Sequence, residues 1–199
     1  ENSYKAATLD KQIRSTFYAF KYWYPEAVFP PVYFVIGRFN TGGTSSENGL
    51  IIGMEMTTDI NYIPYTVAHE LIHYQQTFPE ETTLLEQSIR EGSAAFLGEL
   101  ISGKHGDDEA FEYGEKHTEE LCREFVEIMD SYEYQGWLYG NSGLKEGRVQ
   151  DLGYWMGYKI TEAYFDKAKD KKEAVSEILN ITDFTTFLRE SGYLNDYME

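Results

Sequence analysis

Apolar residues recur at helical spacing at the start of the chain. Leu9, Ile13, Phe17 and Phe20 predict an amphipathic helix over residues 3 to 24. Pro25, Pro30 and Pro31 break that pattern. Val32-Tyr33-Phe34-Val35-Ile36 is a short continuous apolar run and reads as a buried-type strand. Residues 40 to 49, rich in Gly, Ser, Thr and Asn, read as a loop. A second strand follows in Leu50-Ile51-Ile52-Gly53-Met54-Glu55-Met56. The two strands are expected to pair in a small sheet. That sheet is either a hairpin-like core element or an edge to which a peptide adds as a further strand.

Helical spacing then returns in Val67, Leu71 and Tyr74. Pro64 sits near the start, where its missing N–H does no harm, and Thr77-Phe78-Pro79 marks the stop. Further helices are expected at about 82 to 102 and about 107 to 132, the latter with a solvated charged face. A glycine-rich loop spans residues 134 to 150. Helices follow at about 151 to 168, 171 to 180 and 183 to 190. The expected fold is α+β, mainly helical, with a small sheet ahead of the helix that follows Pro64. At 199 residues the chain is most simply one domain with room for a proper core.

Composition narrows the function classes. Apolar content of 42% with 26% charged residues is that of a globular chain. No apolar run approaches the length of a membrane span. The net charge of −17 argues against nucleic acid, whose phosphates need clustered Lys and Arg, and favours basic substrates. The 17 tyrosines and three tryptophans are mostly packing residues. Cys122 is the only cysteine, so no internal disulfide forms. It falls among helix formers and reads as a structural thiol. The chain opens on Glu1, which carries the expectation of a processed form.

The chemistry sits in His69-Glu70-Leu71-Ile72-His73, an H-E-x-x-H motif on the helix after Pro64. Positions i and i+4 share a helix face, so both imidazoles can reach one zinc ion, with Glu70 beside them as a general base. A catalytic zinc takes a third protein ligand and keeps one position open. The longer motif ending in a third histidine is excluded, because Gln76 and Pro79 stand where it needs Gly and His. A glutamate on the next helix is the other common solution. Glu91, separated from His73 by 17 residues, is the leading candidate, with Glu86 and Glu99 as rivals on the same helix and His105 or His117 as more exposed alternatives. Gly92, Ala94 and Ala95 are small, and are expected to let this helix approach the H-E-x-x-H helix closely.

These motifs resemble a bacterial family of predicted zinc-dependent proteases related to gliding-motility lipoproteins. The matching residues are the Thr66-to-Gln76 helix, Glu91-Gly92-Ser93-Ala94, Asp151-Leu152-Gly153-Tyr154-Trp155-Met156-Gly157-Tyr158 and Phe187-Leu188-Arg189-Glu190-Ser191-Gly192-Tyr193. The resemblance covers most of the chain from about residue 30. It implies a zincin-like fold and metallopeptidase activity on peptides or proteins. It also implies a place at or beyond the bacterial cell envelope, with a lipid anchor on a removed N-terminal segment as one route. The chain departs from the thermolysin pattern at Ala95, where an acid often orients a zinc-bound histidine. A partner for that histidine must come from elsewhere.

On this reading His69, His73 and Glu91 hold Zn2+, Glu70 is the general base, and a further donor steadies the oxyanion. Tyr154 is the first candidate for that donor; Tyr158, Tyr139 and Arg148 are the alternatives. The competing class is a non-catalytic envelope or gliding-associated protein that retains a zinc-binding fold. An intact Glu70 speaks against it, because a structural zinc site needs no base and usually has four protein ligands.

Overall fold

The computed structural model describes residues 6–37, 42–79, 82–106, 108–140 and 145–198. Parts of the expected first helix (3–5), of the loop at 40–49 (40–41), of the helix at 107–132 (107) and of the glycine-rich loop (141–144) lie outside the described residues. The chain divides into two compact units. One runs up to Gln76 and includes Leu97–Gly106; the other takes Thr77–Phe96 and the chain from residue 107 onward.

In the first unit, helix α1 (Asp10–Trp23) buries Ile13, Thr16 and Phe20, one stripe at helical spacing. Strand β1 (Val32–Val35) pairs in parallel with β3 (Gly49–Gly53), and β2 (Gly43–Ser46) pairs antiparallel with β3, in the order β1-β3-β2. The central strand is the buried one: Leu50 and Ile52 are fully enclosed. Two expectations are corrected here. Val32–Val35 is an edge strand with Tyr33, Phe34 and Val35 exposed, because an apolar run marks a strand but not its place in the sheet. The polar segment at 43–46, expected as loop, is a strand. A two-residue turn at Glu47-Asn48 folds it onto β3, with Ser46 opposite Gly49. Helix α2 (Ile63–Gln75) carries Pro64 in its first turn and packs on α1, β2 and β3. Val67, Ala68, Leu71 and Ile72 are fully buried, and each of the larger three contributes roughly 1.5–3 kcal/mol. This burial fixes the rotation of the helix about its axis, and with it the direction of the side chains between those positions.

The second unit is helical. Helix α3 (Leu84–Ser102) begins in it and ends in the first unit. Its opening turn is a capping box: the Thr83 N–H donates to Glu86 Oε2 at 2.7 Å, and the Glu86 N–H donates to the Thr83 hydroxyl at 3.3 Å. The next free N–H groups, of Leu84 and Leu85, donate to the carbonyls of Ser131 and Met129. The single helix expected at 107–132 is two, α4 (Asp108–Lys116) and α5 (Thr118–Ile128), parted at His117. Helix α6 (Leu152–Lys167) packs against α4, α7 (Lys171–Leu179) and α8 (Phe184–Ser191). Helix α6 also crosses α3 with backbone on backbone. A Cβ on Gly92 would stand 2.1 Å from the Gly157 carbonyl carbon, and one on Gly157 would stand 1.7 Å from Ser88 O. The close approach made by Gly92 is therefore to α6, not to the H-E-x-x-H helix as expected. Cys122 is fully buried beside Tyr193, and burial pushes its thiol up to about 11, which suits a structural thiol and not a nucleophile.

Candidate metal centre

The histidine pair belongs to the first unit. His69 and His73, one turn apart on α2, bring their Nε2 atoms to 3.0 Å, with the rings nearly perpendicular. Two nitrogens each about 2.0–2.1 Å from one tetrahedral zinc would be roughly 3.3 Å apart, so the pair fits as ligands of a single ion. The His73 tautomer follows from its other nitrogen. Nδ1 is 2.8 Å from Gln76 Oε1, an amide oxygen that only accepts, so Nδ1 carries the proton and Nε2 keeps its lone pair. Gln76, the residue that excluded the longer motif, is thus the orienting partner left open by Ala95. The backbone leaves the helix at Gln76, and its side chain turns back to the ring.

Glu70 points toward the sheet. It is only 8% exposed, and its carboxylate lies against Gly43 of β2. A Cβ on Gly43 would stand 2.7 Å from Glu70 Oε1, so glycine is what lets the strand and the carboxylate share this space. Antiparallel pairing alternates the backbone groups of β2 between β3 and the open edge. Gly42 O accepts from Gly53 N–H, so Ser45, three residues on, turns its backbone groups away from β3.

Glu91 belongs to the second unit, where it is 7% exposed. Its Oε1 accepts the Tyr139 hydroxyl at 2.7 Å and the Gln87 amide at 3.1 Å. The Gln87 amide also donates to the Tyr139 hydroxyl, and Gln87 Oε1 in turn accepts from the Thr82 hydroxyl at 2.8 Å. The Tyr139 backbone has φ of +62°, in the left-handed region, and its N–H donates to Asp151 Oδ1 at 2.9 Å. Tyr154, on α6, also hydrogen-bonds to Glu91. Burial, followed by the charge of Glu91, pushes both phenols above their ordinary range. Both therefore remain protonated at neutral pH and act as donors.

The other candidates have structural duties. Tyr158 packs edge-to-face with Phe96 and Phe111. Arg148 pairs with Glu124 at 2.5 Å and lies over the Trp137 ring. Glu86 is spent on the capping box. His105 bonds Gly106 O and faces Glu99, and His117 stacks on Tyr113. Sequence reasoning missed Gly43, Gln76, Gln87 and Asp151 as participants. Gln87 left a signal, since it lies four residues before Glu91 on one helix face. Gly43 left none, because what it touches is far away in sequence.

A family model described as "Predicted Zn-dependent protease (DUF2268)" matches residues 36–185. No curated protein and no solved structure matches the chain.

Proposed function

Since the chain belongs to this family of predicted zinc-dependent proteases, we propose that it is a zincin-like peptidase in which His69, His73 and Glu91 hold the zinc and Glu70 is the general base. The observation that carries this reading is the histidine pair: two Nε2 atoms 3.0 Å apart on one helix, with Glu70 beside the first of them. Two imidazoles and one carboxylate form a donor set suited to a catalytic zinc with one position left open. A second support comes from α3 itself. A Cβ at Gly98 stands 3.4 Å from the His69 backbone nitrogen, and Glu91 lies two turns earlier on the same face of that helix.

Bound zinc supplies a Lewis acid and lowers the pKa of water at the site. Glu70, next to the first histidine and screened from bulk solvent by Gly43, takes the proton of the attacking water and returns it to the leaving amine. Tyr154 donates a hydrogen bond to the carbonyl oxygen as that oxygen gains charge, with Tyr139 holding Glu91 in place. The open edge of β2 seats the peptide as an added strand, through the backbone groups of Ser45.

The test is Glu70→Gln. The amide is nearly isosteric and cannot act as a base. One zinc per chain should remain, while cleavage of a mixed peptide library should fall on the order of a hundredfold or more. Cleavage at the wild-type rate would remove Glu70 from the chemistry and with it the proposed mechanism.

A further inference from the structure

The first unit holds an open cavity of about 630 Å³ whose wall includes His73 itself. That size is in the range of ligand-binding clefts. Its lining includes Ser45 and Ser46 of the edge strand β2, the aromatic rings of Tyr24 and Tyr74, and Glu26 and Glu47. Both glutamates are exposed and both tyrosines are half-buried. The lining contains no lysine or arginine.

This combination has one chemical complement. A peptide added along β2 sends alternate side chains to the two faces of the sheet. A side chain entering beside Ser45 shares the cavity with two aromatic rings and two carboxylates. An aliphatic stem ending in a cation satisfies both, since the stem packs on the tyrosines and the charged head meets the carboxylates. An acidic side chain would meet the like charges of Glu26 and Glu47, in a chain of net charge −17.

Resting on the peptidase reading above, we infer that the cavity beside His73 is a specificity pocket for a lysine or arginine side chain, and that the substrates are basic peptides. Glu26 and Glu47 set the preference and take no part in the chemistry. Both are exposed, so both can be replaced without disturbing the core.

The experiment pairs peptides that differ at one position, Lys against Glu, at fixed ionic strength. Wild type should favour the lysine peptide on the order of tenfold in kcat/KM, the combined scale of two exposed ion pairs and a cation–π contact. Glu26→Lys with Glu47→Lys should abolish or reverse that preference while leaving zinc content at the wild-type level. Equal cleavage of the two peptides by wild type, or a lysine preference that survives the double reversal, overturns the inference and leaves the peptidase reading standing. The same peptides, fluorescently labelled, are also titrated onto Glu70→Gln protein with and without the two reversals. If wild type cleaves nothing, the peptidase reading falls, and these titrations decide the pocket: tighter binding of the lysine peptide, lost on reversal, supports it, and equal binding overturns it.

Discussion

The histidine pair and Glu91 are held in place by two different kinds of surroundings. His69 and His73 owe their convergence to the backbone of one helix. The i, i+4 step brings the rings together, burial of Val67, Leu71 and Ile72 sets the rotation of the helix, and the bond from His73 to Gln76, only three residues on, settles a tautomer. Glu91 sits in a web drawn from distant segments: Gln87 and Thr82 nearby, Tyr139 from the glycine-rich stretch, and Tyr154 and Asp151 at the start of α6. A helix can aim two ligands unaided. A lone carboxylate on a flexible side chain needs its oxygens tied down, and the ties come from wherever the fold brings donors. The second arrangement should therefore be the more fragile.

The largest effect comes from removing the carboxylate. Glu91→Ala should weaken zinc binding beyond the roughly hundredfold that loss of an orienting partner can cause, read by competition with a chelator. Wild-type retention would detach Glu91 from the metal and end the comparison. Next in size is Tyr154→Phe, which deletes one hydroxyl. It should cut kcat roughly ten- to a thousandfold with little change in KM, the mark of an interaction made in the transition state. A change confined to zinc affinity would instead make Tyr154 one more tie on Glu91.

The comparison is sharpest in the pair Gln87→Leu and Gln76→Leu. Each removes one orienting amide, and each should cost about ten- to a hundredfold in zinc affinity. The larger loss is expected for Gln87, which also holds Tyr139, whereas helix geometry keeps His73 near its place without Gln76. The reverse order would show that the tautomer matters more than the web. The smallest effect should come from Gly43→Ala, where the new methyl presses on the Glu70 side chain. Zinc content and fold should hold, while kcat falls on the order of tenfold as the base is displaced. Unchanged turnover would show that Glu70 moves aside at no cost.

Helix positions were largely legible because burial repeats at helical spacing. Leu84–Ser102, Leu152–Lys167, Lys171–Leu179 and Phe184–Ser191 all fall close to where that spacing put them. The failures have a common cause. The break at His117 interrupts a segment whose charge pattern continues across it. The strand Gly43–Ser46 has no apolar alternation and exists because β3 offers it a partner. The exposure of Val32–Val35 depends on which strand became central. In each case the deciding interaction is with residues outside the local window.

The amino-acid sequence by itself determined that two histidines share one helix face, that a glutamate stands beside the first of them, and that the chain carries a net charge of −17. These follow from helix geometry and charge, which are local or additive. Only the tertiary structure decided that Gln76 orients His73, that Tyr139, Gln87 and Tyr154 converge on Glu91, that Gly43 makes room for Glu70, and that an acidic, aromatic cavity opens beside His73. Those are contacts whose partners are chosen when the side chains around them pack. No spacing along the chain encodes them, because their formation depends on the burial of everything in between.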